Sequence, residues 1–303
     1  MLAVVIPYYK IDFFEETIKS LVHQTCLDFK VYIGDDASEN SPVQILSKYQ
    51  QLLEITYHKF ERNLGNKSLT GHWDRCIALS KKEPWIMLLG DDDYISSNYI
   101  EQWYNHLPRF EAKTNVVRFA SYDLYQQSGN LSKFCTHPSW ELPTEAFWRK
   151  CIYDTRSSLS EYFFARSSYM KFGFYNYDLA WCSDDRAWLE FSEGLPIYTI
   201  NDSFAVIRIS DKSITGQNTN LLRKSKVKIL FYKFLLSNYI KLYSKDQISL
   251  LKGRLENTIR GNRQLTYREW LLLLKIHLQY LSAKELKKFG KRTLKVSLNK
   301  PVI

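Results

Sequence analysis

Apolar residues in this chain fall into short unbroken runs separated by longer stretches in which they recur every three or four positions. Leu2 to Ile6 is such a run, closed by Pro7. It reads as a strand buried on both faces. Asp12 then precedes apolar residues at Phe14, Ile18, Leu21 and Val22, with Glu15 three residues on. That spacing predicts a helix with Asp12 as its N-cap. The alternation continues with a strand from Phe29 to Gly34, a helix from Val43 to Gln51 and a strand from Ile55 to Phe60. A turn at Asn63–Asn66, a helix from Leu69 to Ser80 and a strand from Trp85 to Leu89 follow. Strands and helices in this order predict an α/β fold, with a mostly parallel central sheet flanked by helices.

The pattern then becomes more mixed. A helix near Tyr99–Glu111 is followed by a strand at Val116–Tyr122, a hairpin turn at Gln127–Asn130 and a helix at Pro143–Tyr153. A strand at Ser158–Ala165 precedes an aromatic turn at Lys171–Tyr175. Ser183 or Asp184 is placed to cap a further helix, and strands near Ile197 and at Phe204–Ile209 close the body. From residue 221 onward only helices are predicted. Thr266-x-x-Glu269 and Ser282-x-x-Glu285 read as capping boxes, and Leu271, Leu274, Leu278 and Leu281 share one helical spacing. The expected organisation is one α/β domain over residues 1–220 and a helical C-terminal extension over 221–303.

Charge supports this division. The 303 residues carry a net charge of +10. Residues 221–303 hold 20 Lys+Arg and 4 Asp+Glu, a net of +16, which leaves −6 for residues 1–220. An acidic body with a basic tail suggests two tasks. The five cysteines are scattered without a Cys-x-x-Cys pair, which argues against a disulfide scaffold and a zinc site, and for a reducing compartment. No charged leader precedes the first apolar run, and no stretch of about 18 apolar residues is present. A cytoplasmic protein is expected, with a peripheral place on the inner face of the cell membrane as one reading of the basic tail.

Two acidic clusters, Asp35-Asp36 and Asp91-Asp92-Asp93, each follow a predicted strand. In open sheets of this kind ligands bind beyond the carboxyl ends of the strands. Adjacent carboxylates repel one another there unless a cation joins them, and hard divalent ions take oxygen ligands and bridge to phosphates. A third cluster, Asp184-Asp185, lies far along the chain. Transfer from a nucleotide sugar needs a grip on the nucleotide, charge compensation on the diphosphate and a base for the acceptor hydroxyl. The three clusters supply one group for each.

At these positions the chain resembles glycosyltransferase family 2, the inverting transferases with the GT-A fold, over about residues 1–215. The resemblance is carried by Val4-Val5-Ile6-Pro7-Tyr8-Tyr9, by Ser20-Leu21-x-x-Gln24-Thr25 and by Asp35-Asp36-Ala37-Ser38. Asn63-x-Gly65, Leu88 to Asp93, Phe163-Phe164-Ala165-Arg166 with Gly173-Phe174, and Ser183-Asp184-Asp185 continue it. Bacterial enzymes of O-antigen and capsular polysaccharide assembly carry a similar Leu-Gly-Asp-Asp-Asp run. The resemblance implies that Pro7 and Tyr8 pack around the nucleobase and that Asp36, with Asp35 beside it, reads base or ribose. Arg75 approaches the nucleotide or is a plain surface residue. Asp92 is the preferred ligand for Mn²⁺ or Mg²⁺, with Asp91 and Asp93 flanking, or Asp91-x-Asp93 is the pair. Gly90 stands where the family often has an acid. Asp184 or Asp185 is the general base, and Arg208, Ser210 and Ser213 match a loop that closes over the donor.

The implied reaction moves a hexosyl or N-acetylhexosaminyl group from a UDP-sugar to a saccharide acceptor, with inversion. The basic tail has three readings: a helical cap, a contact with an anionic membrane that brings a lipid-linked acceptor within reach, or a nucleic-acid surface. The last is set aside because no reading motif accompanies it. For the membrane contact, Lys224, Lys226, Lys228, Lys233 and Lys241 interleave with Val227, Ile229, Phe231, Phe234, Leu235 and Ile240. A nucleotidyltransferase is the enzymatic rival, weakened by the lack of a Gly-rich, Lys/Arg-bearing phosphate loop after the first strand. A catalytically inactive GT-A module serving as an assembly partner is the other, with Gly90 as its foothold.

Overall fold

A computed structural model describes residues 1–216, 219–280 and 283–297. Ser282 and Leu281, expected to cap a helix and to continue a leucine spacing, lie outside the described residues. The chain divides into two compact units, residues 1–220 and 221–303.

The first unit opens with β1 (Leu2–Tyr8), α1 (Phe14–Val22), β2 (Phe29–Asp35), α2 (Val43–Tyr49), β3 (Ile55–Lys59), α3 (Leu69–Ile77) and β4 (Trp85–Leu88). It continues with β5 (Tyr94–Ile95), α4 (Tyr99–Phe110), β6 (Val116–Tyr125), β7 (Asn130–Leu131), β8 (Trp140–Glu141) and α5 (Pro143–Cys151). The last elements are β9 (Tyr162–Ala165), α6 (Arg166–Phe172), α7 (Ser183–Phe191) and β10 (Ile197–Ile209). Among the described residues the main path of the sheet runs β3-β2-β1-β4-β9-β6-β10-β5. Strands β1 to β4 are mutually parallel, as are β6 and β10, and β9 is antiparallel between β4 and β6. The expected α/β architecture is therefore present, with more antiparallel pairing in its second half.

Alternation along β1 shows why the sheet is covered on both faces. Leu2, Val4, Ile6 and Tyr8 pack with Phe14, Ile18 and Leu21 of α1 and Trp103 of α4. Ala3 and Val5 face the other way, toward Trp73 and Ile77 of α3 and Trp188 and Phe191 of α7. Fully burying each large apolar side chain contributes about 1.5–3 kcal/mol. The two expected strands at Ile197 and Phe204–Ile209 are one strand, with an irregularity between Ile200 and Phe204 where Asn201-Asp202-Ser203 interrupts the apolar pattern.

Two expected caps are not formed. Helix α1 starts one residue later than Asp12 would place it, with no side-chain cap. Asp12 instead accepts a hydrogen bond from Lys212 Nζ at 2.5 Å. Helix α7 has Cys182 at its N-cap in the left-handed conformation, φ 63°, and Ser183 Oγ donates to the Tyr175 carbonyl at 2.7 Å.

The second unit contains α8 (Leu221–Asn238), α9 (Lys245–Arg260), α10 (Tyr267–Tyr280) and α11 (Ala283–Ser297). The capping box at Thr266 and Glu269 is formed, and Glu269 is further held by Arg263 and Lys233. Val227, Ile229, Phe231, Leu235 and Ile240 are buried. That corrects the expectation that this interleaved stripe faces a membrane: these five side chains are buried, and Phe234 is half-buried. None of the described helices is long and apolar enough to cross a membrane.

Candidate active site

The parallel pairing puts Tyr8 beside Asp35 and Pro7 beside Gly34, and Leu89 N–H donates to the Val5 carbonyl at 2.9 Å. The carboxyl ends of β1, β2 and β4 thus share one edge. Residues 8–10, 35–38 and 90–93 are brought together there, as the strand order requires.

The three consecutive aspartates have three different surroundings. Asp91 Oδ2 accepts hydrogen bonds from the backbone N–H groups of Tyr9 and Lys10, both at 2.7 Å. It clamps the turn after β1 to the turn after β4. Asp93 Oδ1 accepts from Arg208 N–H at 2.9 Å, and its Oδ2 from Ser160 Oγ at 2.6 Å. Asp93, expected beside Asp92 as a metal ligand, thus has both oxygens engaged by protein donors. Burial, reinforced by the charge of Asp92, pushes both Asp91 and Asp93 upward. Asp92 is different. Its carboxylate is 14% exposed, and its one side-chain partner among the described contacts is the Lys10 ammonium at 3.1 Å from Oδ2.

Gly90 has a steric reason. A Cβ at this position would meet Asp93 Oδ2 at 2.8 Å and Asp92 Oδ1 at 3.3 Å. The turn folds back over its own first residue, and a side chain there would have to displace the buried Asp93 carboxylate. Gly90 N–H donates to Ser160 Oγ at 3.0 Å, so one hydroxyl joins both ends of the turn.

Asp35 is fully buried and accepts from Ser38 N–H and Tyr57 OH, both at 2.7 Å. Asp36 accepts from Leu64 N–H at 2.7 Å and Gly65 N–H at 2.8 Å, and from Arg75. A Cβ on Gly65 would lie 2.6 Å from Asp36 Oδ2. The Arg75 guanidinium stacks 3.9 Å over the Phe60 ring and also donates to the Arg62 carbonyl. The cluster thus organises the 62–65 turn beside the carboxyl end of β2. Pro7 is half-buried at the strand end, while the Tyr8 ring is wholly buried against Phe14 with its hydroxyl on the Asn40 carbonyl at 2.6 Å. The side chain after β1 that reaches solvent is Tyr9.

Asp184 and Asp185 open α7. Asp185 is buried and takes a 2.6 Å hydrogen bond from Lys150 Nζ beside a small cavity lined by Phe147, Tyr162 and Trp188. Asp184 is half-buried, and burial together with the neighbouring Asp185 pushes it up to about 6. The turn before it is strained: Leu179, Ala180 and Cys182 all have φ between 51° and 63°. Each non-Gly residue held there costs on the order of 1–3 kcal/mol. The Lys150 ammonium acts on Asp184, Asp185 and the buried Glu161. Glu161 follows Ser160, so the 160–161 turn lies between the two acidic clusters.

Arg208, matched by resemblance to a donor-covering loop, is instead a buried anchor. It donates to the Asp92 carbonyl at 2.9 Å and stacks 4.0 Å over Phe13, and it is also bonded to Glu16 and Gln126. Ser210 and Ser213 close a tight turn on each other. The sequence reading missed Ser160, Lys150, Lys10 and Thr17. The Thr17 hydroxyl donates to the Asp93 carbonyl at 2.7 Å from inside α1. A hydroxyl on the otherwise apolar face of that helix was the available signal.

Among the described residues no three His, Cys, Asp or Glu side chains converge to hold a metal. A divalent ion held by one carboxylate plus substrate phosphates remains compatible with Asp92, since Mg²⁺-type sites commonly use one or two carboxylates and the substrate's own oxygens.

This sheet, with acids at the strand ends, has the GT-A architecture of nucleotide-sugar glycosyltransferases. S. aureus TarS in complex with UDP superimposes with a TM-score of 0.60 at 13% identity, over 95% of this chain and 77% of that one. Its UDP-GlcNAc complex gives 0.63 at 13% identity, over 90% and 78%. The mannosyltransferase PcManGT from Pyrobaculum calidifontis, solved with GDP-Man and Mn²⁺, gives 0.57 at 11% identity, over 97% and 80%. The chain belongs to glycosyl transferase family 2, whose family model matches residues 3–162. A poly(ribitol-phosphate) beta-glucosyltransferase of Bacillus spizizenii is 32% identical over 107 residues. That match spans 34% of this chain and 17% of the relative's length.

Proposed function

We propose that this chain is an inverting transferase that moves a sugar from a UDP-sugar to a hydroxyl of a saccharide acceptor in surface-polysaccharide assembly. The observation that carries it is the division of labour among the acids. Asp91, Asp93, Asp35, Asp36 and Asp185 are held by donors that brace the fold, whereas Asp92 is met by the Lys10 side chain and Asp184 is half-buried at the start of α7, and these two are assigned to chemistry. The UDP and UDP-GlcNAc complexes of TarS support the choice of nucleotide.

In this reading Asp184 accepts the proton of the acceptor hydroxyl, which attacks the anomeric carbon from the side opposite the diphosphate. Asp92 would hold Mn²⁺ or Mg²⁺ with the donor's phosphate oxygens, and such an ion neutralises charge on the leaving diphosphate. The Asn63–Gly65 turn, braced by Asp36 and Arg75, borders the nucleotide. Gly90 is explained by packing and gives no support to an inactive module. A thermal-shift screen of nucleotide sugars with Mn²⁺ tests the proposal: UDP-sugars are expected to raise the melting temperature, and no shift from any nucleotide sugar removes it.

The base assignment sets a pH profile. A carboxyl raised to about 6 is protonated, and inactive as a base, below that pH. The rate at limiting substrate is expected to fall about tenfold per unit below pH 6 and to level off above it. The same shift means the folded state binds the proton more tightly than the unfolded chain. Asp184 therefore favours folding at low pH, and that contribution fades as pH rises through about 6. A rate that stays flat down to pH 4.5 would remove Asp184 as the base.

The acceptor is proposed to be lipid-linked and reached through α10. Tyr267, Leu271, Leu274 and Leu278 are exposed and recur at helical spacing along one stripe, beside exposed Arg268 and Lys275. Apolar insertion beside a unit of net charge +16 fits an anionic leaflet. Leu271→Glu with Leu278→Glu in the full chain is expected to weaken co-sedimentation with phosphatidylglycerol vesicles by about tenfold or more. Unchanged sedimentation would exclude this face.

A further inference from the structure

The ion pair between Lys10 and Asp92 has no place in the scheme above, yet it occupies the one carboxylate of the acidic turn that the fold leaves to chemistry. Lys10 Nζ lies 3.1 Å from Asp92 Oδ2 and 3.4 Å from the Lys212 carbonyl. The side chains are 28% and 14% exposed, so this is not a solvated surface pair of the kind that contributes little. The backbone N–H of Lys10 is fixed separately, by Asp91. The ammonium can therefore leave Asp92 by side-chain rotation while the turn stays in place.

A divalent ion that approached Asp92 in this state would meet a positive charge already seated on its ligand. Like charges a few ångströms apart in a partly desolvated site repel strongly. A nucleoside diphosphate changes the balance. Its phosphate oxygens supply further ligands to the metal and a new partner for the ammonium, whose compact charge suits phosphate. We propose that Lys10 is an internal cation that holds Asp92 until the donor binds and makes divalent metal bind together with the donor diphosphate rather than before it. This rests on the reading of the crevice as a nucleotide-sugar site. It assigns Lys10 a positioning role and makes metal and donor affinities interdependent, and such coupling is reciprocal by thermodynamic necessity.

The test uses calorimetry and Mn²⁺ paramagnetic resonance on the full chain, with Mn²⁺ alone, UDP alone and both together. The wild type is expected to bind Mn²⁺ weakly alone and roughly tenfold or more tighter with UDP present. Lys10→Met keeps most of the aliphatic stem. It is expected to bind Mn²⁺ alone roughly tenfold tighter than wild type, and the gain from UDP shrinks correspondingly. Lys10→Arg keeps the charge and is expected to keep the coupling; it also serves if the methionine variant does not fold. Wild type that binds Mn²⁺ with UDP, beside Lys10→Met whose Mn²⁺ affinity and UDP coupling stay within about twofold of wild type, would overturn the role of Lys10 alone. So would loss of coupling in a folded Lys10→Arg. Wild type that binds neither UDP nor Mn²⁺ with UDP would overturn the nucleotide-sugar reading and this inference with it.

Discussion

Asp184→Asn is expected to lower turnover by about 10²–10⁴-fold while UDP binding and the melting temperature stay near wild type. The substitution keeps the shape of a half-buried side chain and removes only its ability to take a proton. The companion change, Asp185→Asn, should behave differently. Asp185 is buried and paired with Lys150, so the amide leaves the half-buried ammonium with only the charges of Asp184 and Glu161 near it. Removing one partner of such a hydrogen bond typically costs about 1–3 kcal/mol. Asp185→Asn should therefore lose stability first, and activity through it. Turnover and chemical melting measured on both variants separate the two. Equal turnover in Asp184→Asn and wild type, or a loss smaller than about tenfold, removes Asp184 as the base.

The doublet shows what the chain disclosed and what it withheld. That two acids open a helix, after a long interval from the first two clusters, was legible from spacing and from the family resemblance. Which of them is paired with a lysine, and which is half-buried without it, was not. The choice depends on Lys150, 35 positions away on α5, and no local pattern encodes that pairing. The strand–helix alternation of residues 1–95 was legible because each element repeats its own period over several residues. The two-residue strands β5 and β8 were not, since two residues carry no period. The cap of α7 was misread because the chain turns in the left-handed conformation at Cys182, which takes the cap position and puts Ser183 inside the first turn. The interleaved stripe of the tail was misread in a similar way. Lysines interleaved with aromatics look amphipathic in a line, but wound into a helix the apolar members of α8 point into a core. The exposed stripe lies on α10, where the leucine spacing was visible and its exposure was not.

The same limit governs the acidic turn. Asp92→Asn is expected to abolish the effect of Mn²⁺ on UDP binding and to lower turnover by about 10²–10³-fold, with little change in melting temperature. Among the described contacts, the side-chain partner of its carboxylate is the Lys10 ammonium. Asp91→Asn and Asp93→Asn should show the reverse order of effects. In each, an oxygen that accepts a buried N–H or O–H is put at risk of replacement by an amide donor, a loss of about 1–3 kcal/mol. Asp91 would release the turn at Tyr9 and Lys10, and Asp93 would release Ser160 and the backbone of Arg208. Three identical letters in a row therefore predict one chemical phenotype and two structural ones. The donors that decide this come from residues 9, 10, 160 and 208, so the distinction exists only once the sheet has assembled. If all three asparagine variants melt like wild type and lose Mn²⁺-dependent UDP binding equally, the acids act as a shared ligand set and the division proposed here is wrong.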